Sequence, residues 1–280
     1  MRFGRDRSNN AIMVHRVMTG EYILCDSSIS NKDNKWFLNL VIKVPIQLNL
    51  NLSPEVSVGV DMGIQVPVFV VSSNHEWGKE IGNKKSFFDK KKSIYNQKRK
   101  LQESLSLKRG GHGYATKMSK LTLLNEAENN YTTTLCHTYA KSVIDYAKLQ
   151  GAGVIKMEML KGINKDDSKN KVLLRFWPVR KLQTLIEQKA LRDNITVLYV
   201  DPYLTSQTCS KCGHYEENQR EERNWFICKN PTCKLFDKKQ HADRNAARNI
   251  CLSNKYVISD NDCTVNKLNN KKVEEIVDSN

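Results

Sequence analysis

Residues 205–250 read TSQTCSKCGHYEENQREERNWFICKNPTCKLFDKKQHADRNAARNI, and this stretch decides how the rest of the chain is understood. Its four cysteines fall in two pairs, Cys209-x2-Cys212 and Cys228-x4-Cys233, with fifteen residues between the pairs. Four thiolates brought together at this spacing make a closed tetrahedral zinc site. Each pair sits on a turn. Gly213 gives backbone freedom after the first, and Asn230-Pro231 bends the second. Two disulfides or four unrelated thiols are the competing readings; the paired spacing, in a chain whose N-terminus lacks the apolar core of a secretion signal, favours zinc. Such a site is structural, because protein fills all four positions on the metal. Directly after it, His241-Ala-Asp-Arg-Asn-Ala-Ala-Arg-Asn-Ile250 reads as a helix with Asp243 at its start. A helix N-cap is the plain explanation of that acid. Two acids far upstream give it another.

Working outward, 45 Lys+Arg against 30 Asp+Glu leave a formal charge of +15 on 280 residues. An excess of that size favours a polyanionic partner, nucleic acid first. No apolar run reaches the ~20 residues needed to span a bilayer, so a membrane partner is not expected. A cytosolic location follows, with the other four cysteines (Cys25, Cys136, Cys251, Cys263) reduced and incidental. The oligomeric state is left open.

Residues 1–20 are polar and say little. Tyr22–Cys25 and Trp36–Val44 are rich in β-branched and aromatic residues and flank a turn-like SSISNKDN, which predicts an antiparallel hairpin. The run Val56-Ser-Val-Gly-Val-Asp61-Met-Gly63 is a strand with an acid set into it, followed by a second apolar run, Val66–Val71, and a turn through Asn74–Gly78 into a third. A carboxylate inside a buried strand costs several kcal/mol unless a cation or hydrogen bonds compensate. Glycines on either side admit close approach of a ligand. Metal ligation is therefore favoured for Asp61 over an exposed edge-strand position. Gly153–Leu160 repeats the pattern, a buried strand with an acid at its end, Glu158.

Between these strands, Lys84–Lys120 is strongly basic with helically spaced leucines and aromatics, broken at Gly110-Gly-His-Gly113. A second helix is predicted from about Leu121 to Leu149. The two form an antiparallel pair laid against the sheet; its lysines either contact phosphate or form a solvated face. Lys161–Lys171 reads as a mobile loop, Arg175–Asn194 as an amphipathic helix, Ile195–Val200 as a strand, and the tail after Cys251 as frayed. The sum is an α/β sheet with acids on its first strand, its fourth strand and its last helix. Ligands in such sheets gather where strand ends meet helix N-termini.

The ordered runs V-G-V-D-M-G-I, V-I-K-M-E-M-L-K-G-I, D-P-Y-L-T-S-Q-T-C-S-K-C-G-H and H-A-D-R-N-A-A-R-N-I resemble the RuvC and zinc-ribbon motifs of TnpB (OrfB) proteins. These are transposon-associated nucleases, often labelled transposases, related to the small type V CRISPR effectors. The G-G-H-G run and the R-F-W-P-V-R-K-L-Q-T-L-I-E-Q-K-A helix are also similar, and the resemblance covers roughly Glu21–Ile250. It implies an RNase H-like (RuvC) mixed sheet, with the helical insertion at about 84–150 inside a nuclease core of residues 56–204. It further implies a target nucleic-acid-binding zinc ribbon at 205–238, the last RuvC motif and helix at 239–255, and a disordered tail at 256–280. Asp61, Glu158 and Asp243 match the family's catalytic acids. The implied activity is RNA-guided, Mg²⁺-dependent endonucleolytic cleavage of DNA, with a guide RNA from the transposon end as a partner. Three crowded carboxylates need divalent cations to neutralise them, and two Mg²⁺ ions so held suit phosphodiester cleavage.

Two departures stand out. Family members carry an N-terminal β-barrel-like wedge interrupted by a recognition lobe, and the 55 or so residues before the first catalytic strand suffice only for a partial β segment of the wedge. His241 stands where relatives more often have an acid, and is read as a neighbour of the site. The alternatives are a truncated, non-cleaving nucleic-acid-binding derivative acting as a regulator or remnant, and a strand-transferring transposase.

Overall fold

The computed structural model describes residues 10–32, 34–45, 51–63, 66–106, 113–160, 177–220, 222 and 224–257. The chain divides into two compact units at Leu48/Asn49. Among the described residues no helix is long and apolar enough to cross a membrane.

The first unit holds α1 (Asn10–Met18) and four short strands: β1 (Ile23–Leu24), β2 (Ser28–Lys32), β3 (Lys35–Asn39) and β4 (Ile42–Lys43). The hairpin differs from its sequence expectation. β2 pairs with β3 from Ser28↔Asn39 to Lys32↔Lys35, so most of the supposed turn SSISNKDN is itself a strand. The reversal tightens around Asn34, whose φ of 58° is tolerated by asparagine better than by most residues. Trp36–Val44 is two strands rather than one, because β4 turns to pair with β1. Helix α1 was not anticipated. It buries no residue, so no amphipathic stripe marks it.

The second unit is built on a five-stranded sheet of β5 (Ser53–Asp61), β6 (Val68–Ser72), β7 (Gly78–Ile81), β8 (Ala152–Glu158) and β9 (Thr196–Val200). Its order is β7-β6-β5-β8-β9. β5, β6 and β7 are antiparallel neighbours, whereas β8 and β9 run parallel to β5. This mixed sheet is the one the RNase H-like reading requires. A π-helical turn (Lys85–Asp89) leads into α2 (Lys90–Ser106), followed by α3 (Tyr114–Leu149). α3 begins seven residues before Leu121, straight after Gly113, whose φ of 89° suits glycine and starts the helix cleanly. Glu128 on α3 ties the pair together, accepting from Lys98 at 2.8 Å and facing Lys91 at 3.7 Å. Part of the lysine run is therefore structural, while Lys90, Lys92, Arg99 and Lys100 are exposed. α4 (Val179–Arg192) starts directly after Pro178; the expected beginning at Arg175, the Lys161–Lys171 loop, Gly110–His112 and the tail from residue 258 lie outside the described residues. The last helix is α5 (Ala242–Leu252).

Side-chain parity along β5 explains how the unit is layered. Val58 and Val60 enter the main core with Phe87, Tyr139, Val143, Leu182 and Ile186 from the helical side. Ser57, Gly59 and Asp61 therefore face the opposite side, where α5 packs. A Cβ on Gly59 would lie 2.2 Å from the Ala247 carbonyl and 2.5 Å from the Cys251 amide, so only glycine lets α5 approach this closely. On β8, Ile155 and Met157 join the core, leaving Lys156 and Glu158 on the α5 face. Lys156 Nζ donates to the Ser253 carbonyl at 2.8 Å. Gly59→Ala is expected to force α5 outward and cost about 3 kcal/mol, the upper end for overpacking a core. Denaturant unfolding measures this, and a loss below about 1 kcal/mol would contradict the packing described.

Candidate active site and metal centre

β5 and β8 run parallel with Val60 opposite Met157, so Asp61 and Glu158 leave the sheet side by side, on the same face. α5 begins beside them. Its cap position is His241, which makes no side-chain capping bond, and Asp243 is the second residue of the helix. The N-cap reading of Asp243 is thus corrected: the acid is buried, 7 % exposed, and turned towards the strand ends, 3.7 Å from where a Gly63 side chain would begin.

Asp61 senses the other two acids. Burial first, then the charges of Glu158 and Asp243, hold the Asp61 carboxyl well above the usual carboxylate range, with Arg220 only partly offsetting them. Burial also raises Glu158, against the Thr205 hydroxyl, which donates to its carboxylate, and Arg220. Asp243 is raised by burial and by Glu80, and pulled back by His241 and Arg220. Arg220 reaches Asp243 at 3.6 Å. One guanidinium against three carboxylates leaves net negative charge on oxygen donors, the chemistry that hard divalent cations complement. The donor type suits Mg²⁺, although among the described residues these three carboxylates are not a group whose ligand atoms lie within 4.8 Å of one another.

Sequence reasoning missed several contributors. Arg220 sits in EENQREERN, which reads as a solvated charged loop. Thr205 and Gln183 steady Glu158; Gln183 Nε2 donates to its carbonyl at 2.9 Å. His241 stacks on Phe69 at 5.3 Å and meets Glu80 at 3.5 Å. Asn245 and Asn249, one helical turn apart on α5, pin the entrance of the ribbon. Asn245 accepts from the Ser210 amide at 2.9 Å and donates to the Thr208 carbonyl at 2.7 Å. Asn249 donates to the Thr205 and Thr208 carbonyls, both at 2.7 Å. Arg248 clamps the β6–β7 loop through the Ser72, Ser73 and His75 carbonyls. The i, i+4 repeat of asparagine was the available signal.

The ribbon closes on itself through the antiparallel pair β10 (Trp225–Ile227) and β11 (Lys239–His241). Among the described residues, Cys209, Cys212, Cys228 and Cys233 form the one group of metal-ligand atoms lying within 4.8 Å of one another. Sγ–Sγ separations are 3.9 Å for Cys209–Cys233 and 3.7 Å for Cys212–Cys228. A tetrahedron with ~2.3 Å zinc–sulfur bonds has edges of about 3.8 Å, which these two separations match. The Leu235 amide donates to Cys233 Sγ at 3.4 Å, and Asn230 Nδ2 to Cys212 Sγ at 3.7 Å, supplying the outer hydrogen bonds that orient thiolates. Burial raises the Cys212 thiol, but hydrogen bonds from the His214 amide and the neighbouring thiols outweigh it and settle the group at about 7.

A family model described as Cas12f1-like, TNB domain, matches residues 180–250, from α4 through the ribbon to α5. A CRISPR-associated endodeoxyribonuclease Cas12f1 from an uncultured archaeon is 31 % identical over 248 residues, covering 85 % of this chain and 46 % of its own length. A TnpB-like protein of Aquifex aeolicus is 24 % identical over 220 residues, covering 74 % and 71 %. The Cas12f1 chain of a Cas12f1–sgRNA–target DNA complex superimposes with a TM-score of 0.69 at 27 % identity, over 90 % of this chain and 50 % of that one. Over most of its length the chain is similar in sequence and fold to Cas12f1 proteins, and more distantly to a TnpB-like protein. It spans about half the length of the Cas12f1 proteins it matches. Asp61, Glu158 and Asp243 lie on the sheet strands β5 and β8 and on helix α5.

Proposed function

We propose that the chain is a metal-dependent DNA endonuclease that uses a guide RNA to choose its target. The observation that carries this reading is the convergence of Asp61, Glu158 and Asp243 from two adjacent parallel strands and a helix start, in a chain akin to RNA-guided endodeoxyribonucleases. The three carboxylates would hold two Mg²⁺ ions, which when bound activate water and stabilise the leaving oxygen of a phosphodiester. Thr205 and Gln183 keep Glu158 in one orientation. Arg220, already drawn to the acids, supplies positive charge where the scissile phosphate would enter. The four cysteines hold a structural zinc ion that fixes the loop bearing Arg220. The exposed lysines and arginine of α2 offer backbone contacts to a polyanion, and the cytosol keeps the thiolates reduced. Association with a transposable element is the finer part of this reading, supported by the likeness to a TnpB-like protein.

The test is to express the chain with its native flanking DNA, purify it and sequence the RNA that accompanies it. A single defined RNA ending in a variable segment is expected, and only random RNA, or none, would contradict guided targeting.

A further inference from the structure

A second polar site lies on the other side of α5. Arg244, Arg248 and Leu252, spaced four apart, form a stripe along the flank of α5 beside the end of β6, and with Lys211 and Ser210 of the ribbon and Glu76 of the β6–β7 loop they line a cavity of ≈ 270 Å³. This is at the small end of ligand pockets and suits one planar group rather than a drug-sized molecule. Three cations against one acid make it electropositive. Glu76 is engaged by Lys211, whose ammonium donates to its carboxylate. Arg248 is committed to loop carbonyls, so Arg244 is the cation presented to a ligand. Its guanidinium lies 5.6 Å from the centre of the Trp77 ring, which is 74 % exposed. On the cavity wall, Gln240 is only 6 % exposed, and its Nε2 has no hydrogen-bond partner. A buried donor left unpaired is destabilising, a deficit that a ligand acceptor would remove.

We propose that this cavity binds one unpaired nucleotide of a nucleic-acid strand. Trp77, which follows the lining residue Glu76 but does not itself line the cavity, supplies for stacking the face not covered by Arg244; Arg244 supplies the phosphate contact, and the Gln240 amide a donor to a base carbonyl. An indole beside a guanidinium is the pairing that single strands use, since every base has a π-face and every nucleotide a phosphate. A base within a duplex has both faces covered by its stacked neighbours, so duplex is not the ligand. The site deepens the nucleic-acid reading above but is separate from the three acids, and it is tested by binding alone.

The probe is fluorescein-labelled oligothymidylate of about 12 nucleotides, compared with a duplex of the same length, in magnesium-free buffer so that cleavage does not enter. Trp77→Ala is expected to weaken single-strand binding about tenfold while duplex binding stays unchanged, and Trp77→Phe to restore most of it. Arg244→Ala should reduce the salt dependence of single-strand binding by about one phosphate's worth, a slope change near 0.7. Gln240→Leu separates binding from folding: it should raise Tm, because the orphaned donor is gone, yet weaken the single strand about fivefold. Unchanged single-strand affinity in Trp77→Ala, or parallel loss of single strand and duplex, would overturn the proposal. So would a lower Tm in Gln240→Leu. Failure of cleavage with these results intact would count against the nuclease reading only.

Discussion

Cys228→Ser is expected to take zinc from about one ion per chain to none and to unfold the segment between Cys209 and Gln240. Structural zinc contributes ~10–16 kcal/mol in small finger peptides, and the ribbon has little else. Its own apolar cluster consists of Cys209, Phe226, Cys228, Cys233 and Ala242, so the thiols that bind metal are also most of its core. The loss spreads along named bonds. Arg220 leaves Asp243, the Thr208 and Ser210 anchors of Asn245 are released, and Thr205 loses its tie to Asn249. The central sheet has a separate core and should survive as a protease-resistant fragment. Elemental analysis and limited proteolysis measure both effects. Normal zinc content with unchanged thermal stability would contradict the four-cysteine centre.

Asp61→Asn is the second large effect, and it acts in opposite directions on activity and on stability. Cleavage should fall about 10³-fold or more, since metal-borne charge stabilisation supplies several kcal/mol. The metal-free protein should become more stable at neutral pH. Burial and the charges of Glu158 and Asp243 raise the folded-state pKa of Asp61 above the ~3.9 of an unfolded chain. Stability from the protonated acid is thus fully present below that unfolded value and is lost as pH rises through the folded one. Wild-type Tm without divalent cation should therefore drop from about pH 4 upward, and asparagine should flatten this dependence. Mg²⁺ should raise the wild-type Tm at pH 7.5 and do little for the variant. An unchanged pH profile, or equal stabilisation by Mg²⁺, would break the link between these acids and a metal.

The parts of the molecule legible in the sequence are those whose cause is local. The alternation V-S-V-G-V-D puts Gly59 and Asp61 on one face by period alone, and the cysteine spacing needs no tertiary information. The cysteine group is found as read, whereas Gly59, read as admitting a ligand, admits α5 instead. What escaped is set by packing between distant segments. The register of β2 with β3 follows from where the chain reverses, around Asn34, rather than from residue type. α1 carries no buried residue and leaves no stripe to detect. Arg220 and Thr205 belong to the site only because the ribbon folds back onto the strand ends, and Glu80 only because β7 pairs at the edge beyond β6. Asp243 shows the opposite case: its position near a helix start suggested a cap, but the cap is His241 and the carboxylate is spent on the cluster of acids.

The measurement that tests the central claim most directly is cleavage of a linear duplex matching the guide carried by the purified ribonucleoprotein, with a mismatched duplex beside it. The account predicts cutting of the matched duplex alone, dependent on Mg²⁺ and abolished by Asp61→Asn, by Glu158→Gln or by Asp243→Asn. Cutting that persists in any of these variants, or that ignores the match, would contradict it.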